Sequence, residues 1–291
     1  MSECMKYKRP NILCMEYAIA SHNIDFVTFL MNEYNMEINL LRCGLYNNLE
    51  SFLVYFDQTN DINKCFVYSS LFDIPLLCEY FLSHGANVNA KDGEGKTALH
   101  YAAEVNKKNA AEFLISHGAN VNEKDKCQFT ALHYAAFNNS IHTAELLVPN
   151  GTNINEKDIC GSTILHYAVA RNNKEIAKFF ISHGANINEK DNTKKTALHY
   201  AAKNKCKEIA EHLILHGANI NEKDNTGKTA LHYAALHNCK EIVEHLISHG
   251  ANINEKDNTG KTTLNYAACN NWKEITEFLI SHGANINGKV N

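Results

Sequence analysis

Positive charge is the first thing this sequence is short of. Its 28 lysines and arginines are outnumbered by 32 aspartates and glutamates, for a formal net charge of −4. A chain with no basic excess lacks the electrostatic footprint on which nucleic-acid binding rests, so no nucleic-acid partner is expected. No apolar run approaches about 18 residues, the length that would predict a membrane span. The first twenty residues, MSECMKYKRPNILCMEYAIA, carry early basic groups, but Glu16 interrupts the apolar segment, which reads as a helix rather than a signal peptide. Short chemical motifs are missing too: there is no CxxC, HExxH, GxSxG, GxxxxGK[ST] or GxGxxG. No catalytic residue, bound metal or cofactor is therefore expected. With 45% hydrophobic residues the chain still has ample material for an ordered core.

What the sequence does have is a period. Thr97–Ala103, TALHYAA, returns at Thr130, Thr163, Thr196, Thr229 and Thr262, each 33 residues after the last. Asp92, Asp125, Asp158, Asp191, Asp224 and Asp257 stand five residues before each threonine, and Gly85, Gly118, Gly151, Gly184, Gly217, Gly250 and Gly283 close the preceding apolar runs. A repeat of this size means stacked units, none able to bury a core alone. The unit D-x-x-G-x-T-A-L-H-Y-A-A, followed by E-I-A-E-F-L-I-S-H-G-A-N-I-N, resembles the ankyrin repeat. Six copies span 91–123, 124–156, 157–189, 190–222, 223–255 and 256–288, leaving a tail at 289–291. The resemblance implies an all-α solenoid of helix-turn-helix units with short exposed β-hairpin loops. The family's proline after the threonine is replaced by Ala98, Ala131, Ile164, Ala197, Ala230 or Thr263; alanine serves there because it favours helix.

Residues 1–90 keep the outline without the signature. Met15–Met31 aligns on Leu99–Ile115, Asn48–Asn63 fits an outer helix after a short inner one near Leu40–Leu45, and Lys64–Leu82 aligns on Thr97–Ile115 with Pro75 in the inter-helix turn. Three worn repeats acting as a cap are expected, since a solenoid needs atypical ends. The region also resembles a short helical domain that precedes ankyrin arrays in some protist proteins.

Within a repeat, the threonines (Thr97, Thr130, Thr163, Thr196, Thr229) are predicted helix N-caps, each worth about 1 kcal/mol. Gly118 is predicted to end the outer helix in the left-handed conformation, and Asn106, Asn139, Asn172, Asn238 and Asn271 to take that conformation between helices. Histidine is abundant, sixteen in all, mostly at two recurring places. His100, His133, His166, His199 and His232 fall on the first helical turn, and the resemblance implies that they tie this turn by hydrogen bonding, a structural role. The charged Glu-Lys-Asp text of each hairpin reads as a solvated rim.

Ten cysteines lack disulfide spacing. Cys127 and Cys160 are one period apart, as are Cys206 and Cys239, and neighbouring helices roughly 8–10 Å apart exceed the about 7 Å that a disulfide spans between α-carbons. Free thiols in a reducing, cytoplasmic location are expected.

By resemblance, partners meet the hairpin tips and the exposed side of the first helix, lining a concave face. Most tips are alike and polar, but the second and third repeats place Cys127, Phe129, Phe137, Ile159 and Arg171 there, types that dominate interfaces. Phe129 and Phe137 have a plainer reading, packing on each other. Leu236 and His237, with Trp272 in an inter-helix turn, form a second candidate. The expected function is a non-catalytic protein-binding scaffold with an unidentified protein partner. Alternatives are self-association through an uncapped last repeat, where Thr263 and Asn265 break the pattern, and a recruiting role beside a separate enzyme. Catalysis by Cys14, His22 and Asp25 is disfavoured, because a helix gives them no nucleophile geometry. Asn122, Asn188 and Asn221 resemble sites that asparagine hydroxylases modify in ankyrin proteins.

Overall fold

The computed structural model describes residues 10–286; the expected tail at 289–291 lies outside them. Among the described residues there are eighteen α-helices and no strand. They pair as α1 (Ile12–Ala20) with α2 (Ile24–Tyr34), α3 (Leu40–Leu45) with α4 (Leu49–Thr59), and α5 (Ile62–Ser69) with α6 (Pro75–Ser83). The periodic region adds the pairs α7 (Ala98–Glu104) with α8 (Lys108–Ser116) and α11 (Ile164–Ala170) with α12 (Lys174–Ser182), and between them along the chain come α9 (Ala131–Asn138) and α10 (Ile141–Leu147). It continues with α13 (Ala197–Lys203) and α14 (Lys207–Leu215), α15 (Ala230–Leu236) and α16 (Lys240–Ser248), α17 (Thr263–Cys269) and α18 (Lys273–Ser281). The chain divides into two compact units: one runs up to Lys126 and includes His142–Thr152, the other comprises Cys127–Ile141 and Asn153 onward.

In the first unit asparagine or aspartate supplies several caps. Asn11, Asn23, Asn39, Asn48 and Asp61 each accept a backbone N–H of the helix that follows. The core is aromatic: Phe52 meets Phe72 and Phe81 edge-on at 5.1 and 6.0 Å, and Phe56 meets Phe81 at 5.1 Å. Helix α3 reaches this core because Gly44 has no side chain; a Cβ there would stand 2.4 Å from the Cβ of Leu71. Pro75 is not in the inter-helix turn, as its alignment predicted, but the first residue of α6. Its fixed φ suits that position and its missing N–H is not needed there. Asp73 takes the left-handed turn instead, at φ 57°. Cys14, His22 and Asp25 do not share one helix: Cys14 lies in α1, His22 in a left-handed turn at φ 53°, and Asp25 in α2.

The second unit is a two-layer stack, with α9, α11, α13, α15 and α17 as an inner row and α12, α14, α16 and α18 as an outer row. Small residues let the inner helices approach: Ala135, Ala136, Ala168, Ala201, Ala202, Ala234 and Ala235 are all fully buried. The outer helices bury Ile176, Phe180, Ile209, Leu213, Ile242, Leu246, Ile275 and Leu279. Each such side chain contributes about 1.5–3 kcal/mol of hydrophobic free energy.

Asparagine stitches one repeat to the next. Asn188 Nδ2 donates to the Gly217 carbonyl at 3.0 Å and its Oδ1 accepts the Asn219 N–H at 2.7 Å. Asn221 repeats the clamp on Gly250 and Asn252, and Asn254 on Gly283 and Asn285. The amides of Asn188 and Asn221 are thus already committed, and Asn122 donates in the same way to Gly151 in the first unit. Lys157–Glu189, Lys190–Glu222 and Lys223–Glu255 pair across the same junctions at 2.5–2.6 Å.

Candidate functional site: the cleft between hairpins and inner helices

In the second unit each hairpin is a tight turn organised by one aspartate. Asp158 N–H donates to the Ser162 carbonyl, while Asp158 Oδ1 accepts the N–H groups of Cys160 and Ser162 at 2.9 and 2.8 Å. Its other oxygen accepts the hydroxyl of Tyr167, nine residues on in the inner helix. Tyr200 does the same to Asp191 at 2.6 Å, Tyr233 to Asp224 and Tyr266 to Asp257. Burial pushes the carboxyls of Asp191, Asp224 and Asp257 up, but hydrogen bonds from tyrosine, threonine and backbone outweigh it: Asp191 and Asp224 sit below the ordinary carboxylate range, and Asp257 at about 2. Neighbouring hairpins are joined by main-chain bonds, Ile159 N–H to the Cys127 carbonyl and Asn192 N–H to the Cys160 carbonyl.

The inner helix is fixed at its start by threonine and histidine together. Thr163 N–H donates to His166 Nδ1 at 3.0 Å, and the threonine side chain accepts the N–H of residue 166. Nδ1 is therefore the unprotonated nitrogen, and Nε2–H is left to donate to the Lys195 carbonyl at 3.1 Å. His199 reaches Lys228 and His232 reaches Glu255 in the same manner. Thr97 with His100, Thr130 with His133, Thr196 with His199 and Thr229 with His232 form the same box. His133 differs in that its buried Nε2 has no hydrogen-bond partner. Gly118 is left-handed at φ 85°, just beyond the end of α8.

These devices leave a cleft of about 420 Å³, lined by Ile159 and Cys160 from one hairpin, Asn192 and Thr193 from the next, and Tyr167, Ala170 and Tyr200 from α11 and α13. Ile159 is 55% exposed, the most open large apolar side chain on this face. Phe129 and Phe137 share a third ring. Both pack on Tyr167, at 5.1 and 5.9 Å between ring centroids, and Phe129 also stacks on His133 at 5.3 Å. Exposed Arg171, the C-cap of α11, lays its guanidinium 3.8 Å above the Phe137 ring. Tyr167 is thus a shared wall, with the cleft on one side and the Phe129–Phe137–Arg171 cluster on the other. Cys127 is exposed at the hairpin tip. Leu236 and His237 lie at the end of α15, outside the cleft, with His237 parallel to Tyr233 at 6.5 Å. Half-buried Trp272 is the N-cap of α18.

The residues missed by sequence reasoning are the tyrosines. Their signal was present, a tyrosine nine residues after every hairpin aspartate, from Asp92–Tyr101 to Asp257–Tyr266.

Recurring helices of seven to nine residues, started by a threonine–histidine box and joined by aspartate-centred hairpins, define a helical repeat protein. The chain belongs to the ankyrin repeat family: the family model for ankyrin repeats (3 copies) matches residues 68–158, 143–224 and 204–290. A domain of unknown function, DUF3447, matches residues 1–55. No curated protein matches the chain. Ankyrin repeats generally mediate protein–protein interaction and are typically non-catalytic. Among the described residues no helix is long and apolar enough to cross a membrane.

Proposed function

We propose that this protein is a non-catalytic scaffold that recognises a partner protein through the cleft and the adjoining aromatic cluster of its second unit. The observation that carries the reading is the exposed Ile159 beside tyrosine walls and a stacked, exposed Arg171, a mixture of types that supplies most interface free energy. The titratable groups of the cleft favour binding over chemistry. His166 has both ring nitrogens committed to the backbone, and Asp191 is occupied by tyrosine, threonine and main-chain donors, so neither offers a free proton acceptor. All nine described cysteines are free thiols, which supports a cytoplasmic setting.

The test is a cross-linked pull-down with the full chain, comparing the native protein with an Ile159→Ala, Arg171→Ala double variant. Both side chains are exposed, so the variant keeps its melting temperature. Capture of a protein by the native chain and its loss from the variant are expected. Equal capture by both moves the site off this face. No capture, together with concentration-dependent sedimentation, makes self-association the function instead.

A further inference from the structure

The chain is net negative, but its charge is not evenly placed. In the second unit five lysines of the hairpin junctions and outer helices are matched with glutamates: Lys157, Lys174, Lys190, Lys223 and Lys240 each have a carboxylate within 3.1 Å. The inner helices α9, α11, α13, α15 and α17 contain no aspartate or glutamate at all. The hairpin carboxylates facing them, Asp158, Asp191, Asp224 and Asp257, are 5–6% exposed and consumed by hydrogen bonds. Around the cleft stand four exposed cations without a carboxylate in ion-pair reach among the described residues. Arg171 follows Ala170, Lys194 follows Thr193, Lys203 lies one helical turn beyond Tyr200, and Lys205 occupies the turn after it at φ 60°. Arg171 is set apart from the others by its contact: its guanidinium carbon lies 3.8 Å from the Phe137 ring centroid, and its N–H groups meet no acceptor among the described residues.

A guanidinium with its fork vacant is shaped for a carboxylate, which it binds through two parallel hydrogen bonds. The cleft beside it offers little polar bonding, because Asn192 Nδ2 is spent on the Ile159 carbonyl and Thr193 Oγ1 on Asp191. What it offers is Ile159, Ala170 and the tyrosine rings, a seat for one aliphatic or aromatic side chain. We infer that the cleft takes an extended acidic peptide segment of a partner protein, seating one apolar side chain between Ile159, Tyr167 and Tyr200 while neighbouring carboxylates meet Arg171 and Lys203. This rests on the scaffold reading and adds the chemistry of the partner. A nucleic acid fits less well, since four free cations fall below the roughly 6–10 phosphate contacts of a typical DNA-binding surface and the cleft admits a side chain rather than a run of bases.

The experiment pans a phage-displayed library of random peptides of about 12 residues on the full chain, then measures binding of resynthesised peptides by fluorescence anisotropy. Enriched sequences are expected to place aspartate or glutamate within two residues of leucine, isoleucine or phenylalanine. Arg171→Gln or Lys203→Gln is expected to weaken them by about tenfold, as is added salt, whereas Lys174→Gln on the glutamate-matched outer surface leaves affinity unchanged. Peptides that bind without acidic residues, or regardless of Arg171 and Lys203, overturn the acidic assignment and leave the scaffold reading standing. A single-stranded oligonucleotide bound in an Arg171-dependent way, with no peptide enriched, overturns both. Enrichment of nothing, with a protein still captured in the pull-down, overturns the peptide assignment alone.

Discussion

The Nε2 of His166 lies 3.1 Å from the main-chain carbonyl of Lys195 in the next repeat, while its Nδ1 accepts the N–H of Thr163. One neutral imidazole thus closes its own helix and grips its neighbour. A proton on Nδ1 would confront the Thr163 N–H with a second donor. Burial holds His166, His199 and His232 below their ordinary value and takes His133 to about 4.

The first prediction follows from that direction. The folded pKa is depressed below the unfolded 6.5, so the unfolded chain takes up protons first as pH falls. The histidine contribution is complete above pH 6.5 and declines progressively from there toward about pH 4, with a limiting slope of about 1.4 kcal/mol per pH unit for each histidine. Urea unfolding across this window measures it. A midpoint independent of pH there contradicts the account.

The sixth repeat supplies its own control. Asn265 stands in the histidine position, and its Oδ1 accepts the Thr262 N–H at 2.9 Å, so the cap survives without a titrating group. His199→Asn is therefore expected to keep the helix start and lose the bond to the Lys228 carbonyl, at a cost of about 1 kcal/mol near neutral pH. The same variant has a shallower acid slope than the native chain. Unfolding curves at neutral and mildly acidic pH compare the two.

Tyr200→Phe removes the hydroxyl that donates to Asp191 at 2.6 Å and leaves a carboxylate that is 6% exposed short of a donor. A loss of about 1–3 kcal/mol is expected at neutral pH. The folded carboxyl is depressed below 3.8, so its contribution is present above that value and lost as pH falls through the folded pKa. Taking away a donor raises that pKa, and the variant's acid transition begins at higher pH. Acid titration of both proteins by circular dichroism reads the displacement.

The repeats could be read from the sequence because period, cap and turn are local. Thr97, Gly118 and the left-handed Asn106 and Asn172 follow from residue type and spacing alone. The partners of Phe129 and Phe137 could not, because Tyr167 comes from the following repeat and competes for both rings. The position of Pro75 was missed at a helix boundary: the residue it aligns on, Lys108, is itself the first residue of α8, and the repeat pattern does not mark where the turn ends and the outer helix begins. The unmatched cations near the cleft, Arg171 and Lys203 among them, were hidden because total charge averages over glutamates that are spent on the outer lysines.

Gly44→Ala tests the aromatic core of the first unit. Its Cβ would overlap Leu71 Cβ and Cδ1, each at 2.4 Å, so α3 or the 3-10 turn Ser70–Phe72 that carries Leu71 has to shift. Destabilisation of about 1–3 kcal/mol is expected, the range for overpacking a dense core. Adding Leu71→Gly removes both overlapping atoms, and the double variant is then less destabilised than the sum of the two single ones. Additive losses in thermal unfolding contradict the contact.

Asn188 provides the sharpest test of how repeats are joined. Its amide donates to Gly217 and accepts from Asn219, and both partners are exposed, so water replaces much of what Asn188→Ala removes. The stability cost is therefore modest, about 1 kcal/mol. Local order is affected more: the Asn219 amide, held at 2.7 Å in the native chain, is expected to exchange its hydrogen about tenfold faster in the alanine variant. Asn188→Asp separates the two halves of the clamp, because a carboxylate still accepts from Asn219 but cannot donate to Gly217. Its Asn219 amide remains protected while its melting temperature falls alongside that of alanine. Equal exchange rates in the two variants contradict the assignment of Oδ1 as the acceptor.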